Sequence, residues 1–212
     1  MRSVFAFLLF ISLNTSAQEL AVLQYGGGGD WYSNPTALPN LIRFCNEQLR
    51  TTIYARPQVV RPLDQALFDY PLVHMTGHGN VYFTEEEATS IRDYLLSGGF
   101  LHIDDNYGMD QYIRRELNKV FPDKELKELP ASHPIFQGPY AFPNGLPKIH
   151  EHDQGRPQAF GISHQGRLVL LYTFESDLGD GWEDPEVHND PMDVRLKALQ
   201  MGANIVHYAF GH

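Results

Sequence analysis

Apolar positions along the chain follow two alternating rhythms, short solid runs and longer stretches with a period of about 3.6 residues. Leu20 to Tyr25 is a short apolar run, the form of a buried strand, and Leu72 to Thr76 and Phe100 to Ile103 read as two further strands. Between them, Leu38, Leu41, Ile42, Cys45 and Leu49 mark an amphipathic helix that starts after Asn34-Pro35, and Ala88, Ile91, Tyr94 and Leu95 mark a second. Thr51 to Ala55 reads as a further strand, continued by Val59-Val60 beyond the interruption at Pro57. Strand and helix in turn predict an α/β fold, a mostly parallel sheet with helices on both faces.

Local chemistry sharpens several boundaries. Thr84 followed by Glu85, Glu86 and Glu87 predicts a capping box, and Gly98-Gly99 predicts the left-handed stop of the same helix. Tyr112, Ile113, Leu117 and Val120 predict a helix that ends by Pro122. Residues 123–158 hold six prolines and read as irregular surface chain. Ala159 to Ser163 and Arg167 to Phe174 form a hairpin about His164-Gln165-Gly166, and Met192 to Phe210 forms a closing helix.

The first residues add a location. Residues 1–17 carry one basic residue, an apolar run from Val4 to Leu13 and small residues at Thr15 and Ala17, the pattern of a cleaved secretory signal peptide. Residues 18–212 are then a single domain, secreted or periplasmic, and the apolar run is too short to span a membrane. A net charge of −10 argues against nucleic acid or an anionic membrane as partner. Cys45 is the only cysteine, so no internal disulfide can form, and its helical setting makes it a small buried hydrophobe.

Ligands of open α/β sheets bind beyond the carboxyl ends of parallel strands, so His78, Asp104, Asp105 and Asn106 are expected to share a crevice. Asp30 and Trp31 follow four glycines after the first strand, and Asp177 and Trp182 follow the strand that ends at Phe174. Together they predict an acidic crevice flanked by two indoles, suited to a cation or a sugar. His78 and Asp105 are also candidate ligands of a divalent metal, with Asp104 or Glu175 activating water. His150-Glu151-His152-Asp153 offers a second metal pattern in a loop, whereas strand alternation places His74 and His102 inside the sheet layers. Asp104 and Asp105 are adjacent on a strand end and are expected to diverge, so one of them faces the crevice. No nucleophile elbow and no phosphate-binding glycine motif is present.

Three functions therefore compete: a domain that binds a small polar ligand such as a carbohydrate, a metal-assisted hydrolase, and a partner-binding module of a cell-envelope complex that uses residues 123–158 as its contact surface. A divalent metal is the one cofactor this chemistry brings into view.

Gly29-Asp30-Trp31, Tyr70-Pro71 through Gly77-His78-Gly79, Gly98-Gly99-Phe100-Leu101 with Asp104-Asp105, Gly161 to Arg167, Asp177, Trp182, Gly202-Ala203-Asn204 and Tyr208-Ala209 carry a resemblance. By these the chain resembles the bacterial family known only as domain of unknown function 4159, over nearly all of its length after residue 17. The resemblance implies a fold similar to the class I glutamine amidotransferases and the ThuA-like proteins, a flavodoxin-like three-layer α/β/α sandwich. It places Asp104-Asp105-Asn106 where an amidotransferase carries its cysteine elbow, so it implies a site at that position without glutaminase activity.

Overall fold

A computed structural model describes residues 18–211; the signal peptide read at residues 1–17 lies outside the described residues. The strands are β1 (Leu20–Leu23), β2 (Gln58–Val60), β3 (Leu72–His78), β4 (Phe100–Tyr107), β5 (Lys127–Glu128), β6 (Gln158–His164) and β7 (Arg167–Phe174). The helices are α1 (Ala37–Gln48), α2 (Glu85–Leu96), α3 (Asp110–Val120), α4 (Leu178–Trp182), α5 (Pro185–His188) and α6 (Met192–Phe210). All seven strands join one sheet in the order β2-β1-β3-β4-β7-β6-β5.

Strands β2, β1, β3, β4 and β7 run parallel, and β6 and β5 add an antiparallel edge. Counted along the chain, the parallel strands lie in the order 2-1-3-4-5, consistent with the flavodoxin-like α/β class. Two apolar layers cover the sheet. Leu38, Leu41 and Ile42 of α1 and Met201, Ile205 and Val206 of α6 pack on one face, and Ile91 and Leu95 of α2 with Ile113 and Leu117 of α3 pack on the other. Strands covered on both sides explain the solid apolar runs of the sequence.

The punctuation of α2 follows its sequence. Thr84 accepts from the Glu87 N–H while the Glu87 carboxylate accepts from the Thr84 N–H, and Gly98 closes the other end at φ +122°. Helix α6 spans Met192–Phe210 as predicted, and Cys45 is buried in α1. Thr51 to Ala55 differs from expectation, since it forms no strand; only Gln58–Val60 pairs with β1. Pro57 lacks an N–H and marks the point after which pairing begins. The proline-rich segment contributes the two-residue β5 and a short 3-10 turn at Pro134–Phe136, and the rest is irregular. Among the described residues, no helix is long and apolar enough to cross a membrane.

Candidate functional site

The carboxyl ends of the parallel strands hold the predicted site residues, and strand alternation sorts them onto two faces. On the α1 and α6 face, Asp104 is fully buried; its Oδ2 accepts the Gly179 N–H at 2.6 Å, and its other oxygen accepts the Thr173 hydroxyl. On the α2 and α3 face, Asp105 accepts the Met109 N–H at 3.0 Å and the Tyr172 hydroxyl at 3.0 Å. The two neighbours diverge, and of the pair Asp105 borders an open cleft of about 330 Å³. Asn106, His152, Asp110, Asp153 and Glu175 line the same cleft, which makes it acidic.

These carboxyls sit far from their ordinary range. Burial pushes Asp104 up to about 7 and Asp105 up to about 6, against the hydrogen bonds that each receives. Asp177 rises to about 9, first from burial and then from the charges of Asp104, Asp180 and Asp105. One Asp177 oxygen meets the His152 ring, and Oδ1 is buried without a partner. The residue stands in the left-handed region at φ 61°, directly before α4. A carboxyl held there by neighbours is a strained arrangement of the kind that clusters at functional sites.

Past α4, three potential metal ligands converge. His150, Asp180 and His188 each present one ligand atom, and these atoms lie within 4.8 Å of one another. His150 Nδ1 is 3.0 Å from Asp180 Oδ2, and its Nε2 is 2.7 Å from Asp190 Oδ1. His188 Nε2 lies 3.7 Å from the same Asp180 oxygen and 3.2 Å from Glu183 Oε2. The Asn34 amide donates to Asp180 Oδ1 at 2.5 Å and fixes the carboxylate from behind. Asn106 in turn donates to the Asn34 carbonyl at 2.7 Å, which ties the cluster to the end of β4. The hydrogen bond to Asp180 raises His150 to about 8, with burial opposing and Asp190 assisting. Burial works to raise Asp180, and the His150 hydrogen bond, the His188 charge and the Asn34 amide outweigh it, leaving it below its ordinary value.

The structure redistributes the residues chosen from the sequence. His78 and Asp105 do not meet: His78 Nδ1 pairs with Asp30 Oδ2 at 3.0 Å, while both Asp105 oxygens accept protein donors. The potential metal ligands that do lie together are His150, Asp180 and His188. Trp182 is also corrected. It is 1% exposed, donates Nε1 to the Ala198 carbonyl at 2.8 Å and lies against the rings of His74 and His102, so it cannot stack on an incoming ligand. An indole between α1, α6 and the sheet fills core volume. Trp31 stands apart from it and lines a second cavity beside the loop after β1. The two histidines of the loop pattern at His150-Glu151-His152-Asp153 part from each other: His150 meets Asp180 and His152 meets Asp177.

Asp180, His188 and Asp190 carried no weight in the sequence reading. A signal was present: Asp177, Asp180 and Glu183 recur every three positions across α4, which stacks acids on one side of a short helix. The glycines between them obscured the helix itself.

Comparison with known proteins follows the same outline. Among curated proteins, none matches the chain. Residues 19–210 match the family described as domain of unknown function (DUF4159). That match covers the sheet, both helical layers and every residue of the cluster, and the chain belongs to the DUF4159 family.

Proposed function

We propose that this secreted or periplasmic domain binds a divalent cation through His150, Asp180 and His188, and that the ion with the adjoining acidic cleft holds a small polar ligand. The single observation that carries the reading is the convergence of two imidazoles and a carboxylate within 4.8 Å, backed on both sides. Nitrogen and oxygen donors in this ratio suit zinc or another first-row divalent ion. Asp190 on the far nitrogen of His150 and Asn34 on the far oxygen of Asp180 are the outer partners that orient such ligands. An ion held there would replace the Nδ1 proton of His150, while the Nε2 proton stays on the ring and is donated to Asp190.

The fold belongs, in this reading, with the class I glutamine amidotransferases. The order of the parallel strands supports that, and the absence of a cysteine at the end of β4 argues against glutaminase chemistry. Cys45 lies in α1, buried, where burial pushes its thiol up to about 12. A carbohydrate remains the fitting ligand class for the cleft, since four carboxylates there accept hydroxyl protons.

The test is calorimetric titration of zinc into chelator-treated protein. One equivalent is expected to bind, with affinity falling about tenfold to a hundredfold or more in His188→Ala. Absence of heat together with an unchanged melting temperature would overturn the reading. A second use of the ion, hydrolysis, is favoured by one observation: Asp105 borders the cleft with its carboxyl raised to about 6, in the range of a general base. Zinc-dependent cleavage of a nitrophenyl ester that disappears in Asp105→Asn, with zinc binding retained, is its signature.

A further inference from the structure

The second cavity, about 240 Å³, lies between the first turn of α1, the loop that carries Trp31 and the ends of β1, β2 and β3. Its walls are mostly apolar, with Trp31, Leu38, Pro35 and Pro57 among them. No acidic or basic side chain lines it except His74. His74 is 3% exposed, and burial holds its ring at about 3, so it is a neutral imidazole.

The hydrogen bonds behind His74 fix which of its nitrogens carries the proton. Asp104 accepts the Gly179 N–H on Oδ2 and the Thr173 hydroxyl on Oδ1. Above pH 7, where Asp104 is ionised, the Asp104 carboxylate and the Ile103 carbonyl are both pure acceptors for the single Thr173 proton, so the contact of 3.1 Å from His102 Nε2 to Thr173 Oγ1 is donated by the ring. A neutral His102 that donates from Nε2 has a bare Nδ1. The contact of 3.1 Å between His102 Nδ1 and His74 Nδ1 is then donated by His74. That leaves His74 Nε2 without a proton, and it is buried without a partner.

The two nitrogens of an imidazole point in roughly opposite directions. With Nδ1 turned toward β4, Nε2 is turned toward β1, where Val22 pairs with His74 in register and lines the cavity. Thr76, two residues on and on the same face, donates its only hydroxyl proton to Asn106 Oδ1 at 2.6 Å and so also offers an acceptor. Ser33, also in the lining, has a buried hydroxyl with no partner and is free to donate or accept.

From this arrangement we infer that the cavity is a binding site for a small uncharged molecule with an apolar, ring-sized body and an O–H or N–H that donates to His74 Nε2. The lining excludes charged ligands because it supplies no counter-ion, and its apolar wall with a few convergent polar atoms is the usual form of a small-molecule site. The site is separate from the cation cluster and does not depend on it. Asn34 stands between the two, but its amide is committed to Asp180 and Asn106.

The experiment titrates the full chain, labelled with nitrogen-15 in histidine, with phenol and with anisole, which keeps the ring and lacks the donor. Phenol is expected to bind about fivefold more tightly, the worth of one net hydrogen bond. The His74 Nε2 resonance is expected at the position of an unprotonated nitrogen in the free protein and to move with phenol but not with anisole. Leu38→Trp, which fills the space, is expected to abolish both titrations. Equal affinities, no binding of either probe, or a proton on Nε2 in the free protein would each overturn the inference.

Discussion

Two pairs of histidines have nearly the same ring separation, 5.0 Å for His74 with His102 and 4.9 Å for His150 with His188, yet His74 and His102 are driven one way and His150 the other. His74 and His102 lie in the core under Trp182, and burial drives both rings toward the neutral form. His150 lies between Asp180 and Asp190 and is driven toward the cation. Spacing therefore decides nothing about an imidazole pair. What decides is whether carboxylates reach the ring nitrogens: Asp104 reaches His102 only through a hydroxyl, whereas Asp180 and Asp190 touch His150 directly.

The largest way to break the comparison is to uncover the core pair. Trp182→Ala is expected to cost about 3–5 kcal/mol in denaturant unfolding, since it deletes a buried indole together with the hydrogen bond that its Nε1 donates to the Ala198 carbonyl. A loss under about 1 kcal/mol would show that the indole does not hold the layer between α1 and α6.

Next is the acid that crowds the cation side. The folded value of Asp177, about 9, exceeds its ordinary 3.8, so the folded chain keeps a proton that the unfolded chain releases. Stability is consequently lost as pH rises from about 4 toward 9. Asp177→Asn removes that loss and tolerates the left-handed backbone, so it is expected to gain about 1–3 kcal/mol at pH 7 while weakening the contact to His152. A destabilised variant would mean that the carboxylate is ionised and paired.

A smaller effect separates the pairs by pH. In metal-free protein the folded His150 value of about 8 lies above its ordinary 6.5, so its contribution is complete below pH 6.5 and disappears as pH passes 8. About 1–2 kcal/mol is expected, and Asp180→Asn should remove most of the dependence in melts between pH 6 and 9. The smallest effect expected is none at all: ring carbon resonances of His74 and His102 should stay at their neutral positions from pH 8 to pH 5, while that of His150 moves near pH 8. Titration of His74 in this range would erase the contrast.

Much of the scaffold could be read from residues alone because burial on both faces leaves a simple trace. Leu72 to Met75 and Phe100 to Ile103 are apolar but for one histidine each, and Thr84 with Glu87 closes a helix end by local chemistry. His74 and His102 were rightly set inside the layers by strand parity. The cation cluster was legible only in part. His150 was within reach as half of a loop motif, but its partners come from residues 180 to 190, and α4 is five residues long with two glycines. Such a helix has too few apolar positions to declare a period. Trp182 was misplaced for a related reason: an indole near a strand end can point outward or inward, and here the turn of α4 rotates it under the sheet.

Gly77 sets how the loop after β1 meets the sheet. Its φ is +141°, and a Cβ there would stand 2.2 Å from the Tyr25 hydroxyl and 3.0 Å from Asp30 Oδ1. Asp30 fits against β3, and accepts from His78, because that position has no side chain. Trp31 is the next residue, so one wall of the smaller cavity is pinned in place by a notch on another strand. A single methyl group at position 77 would shift that wall without altering any residue that lines the chamber.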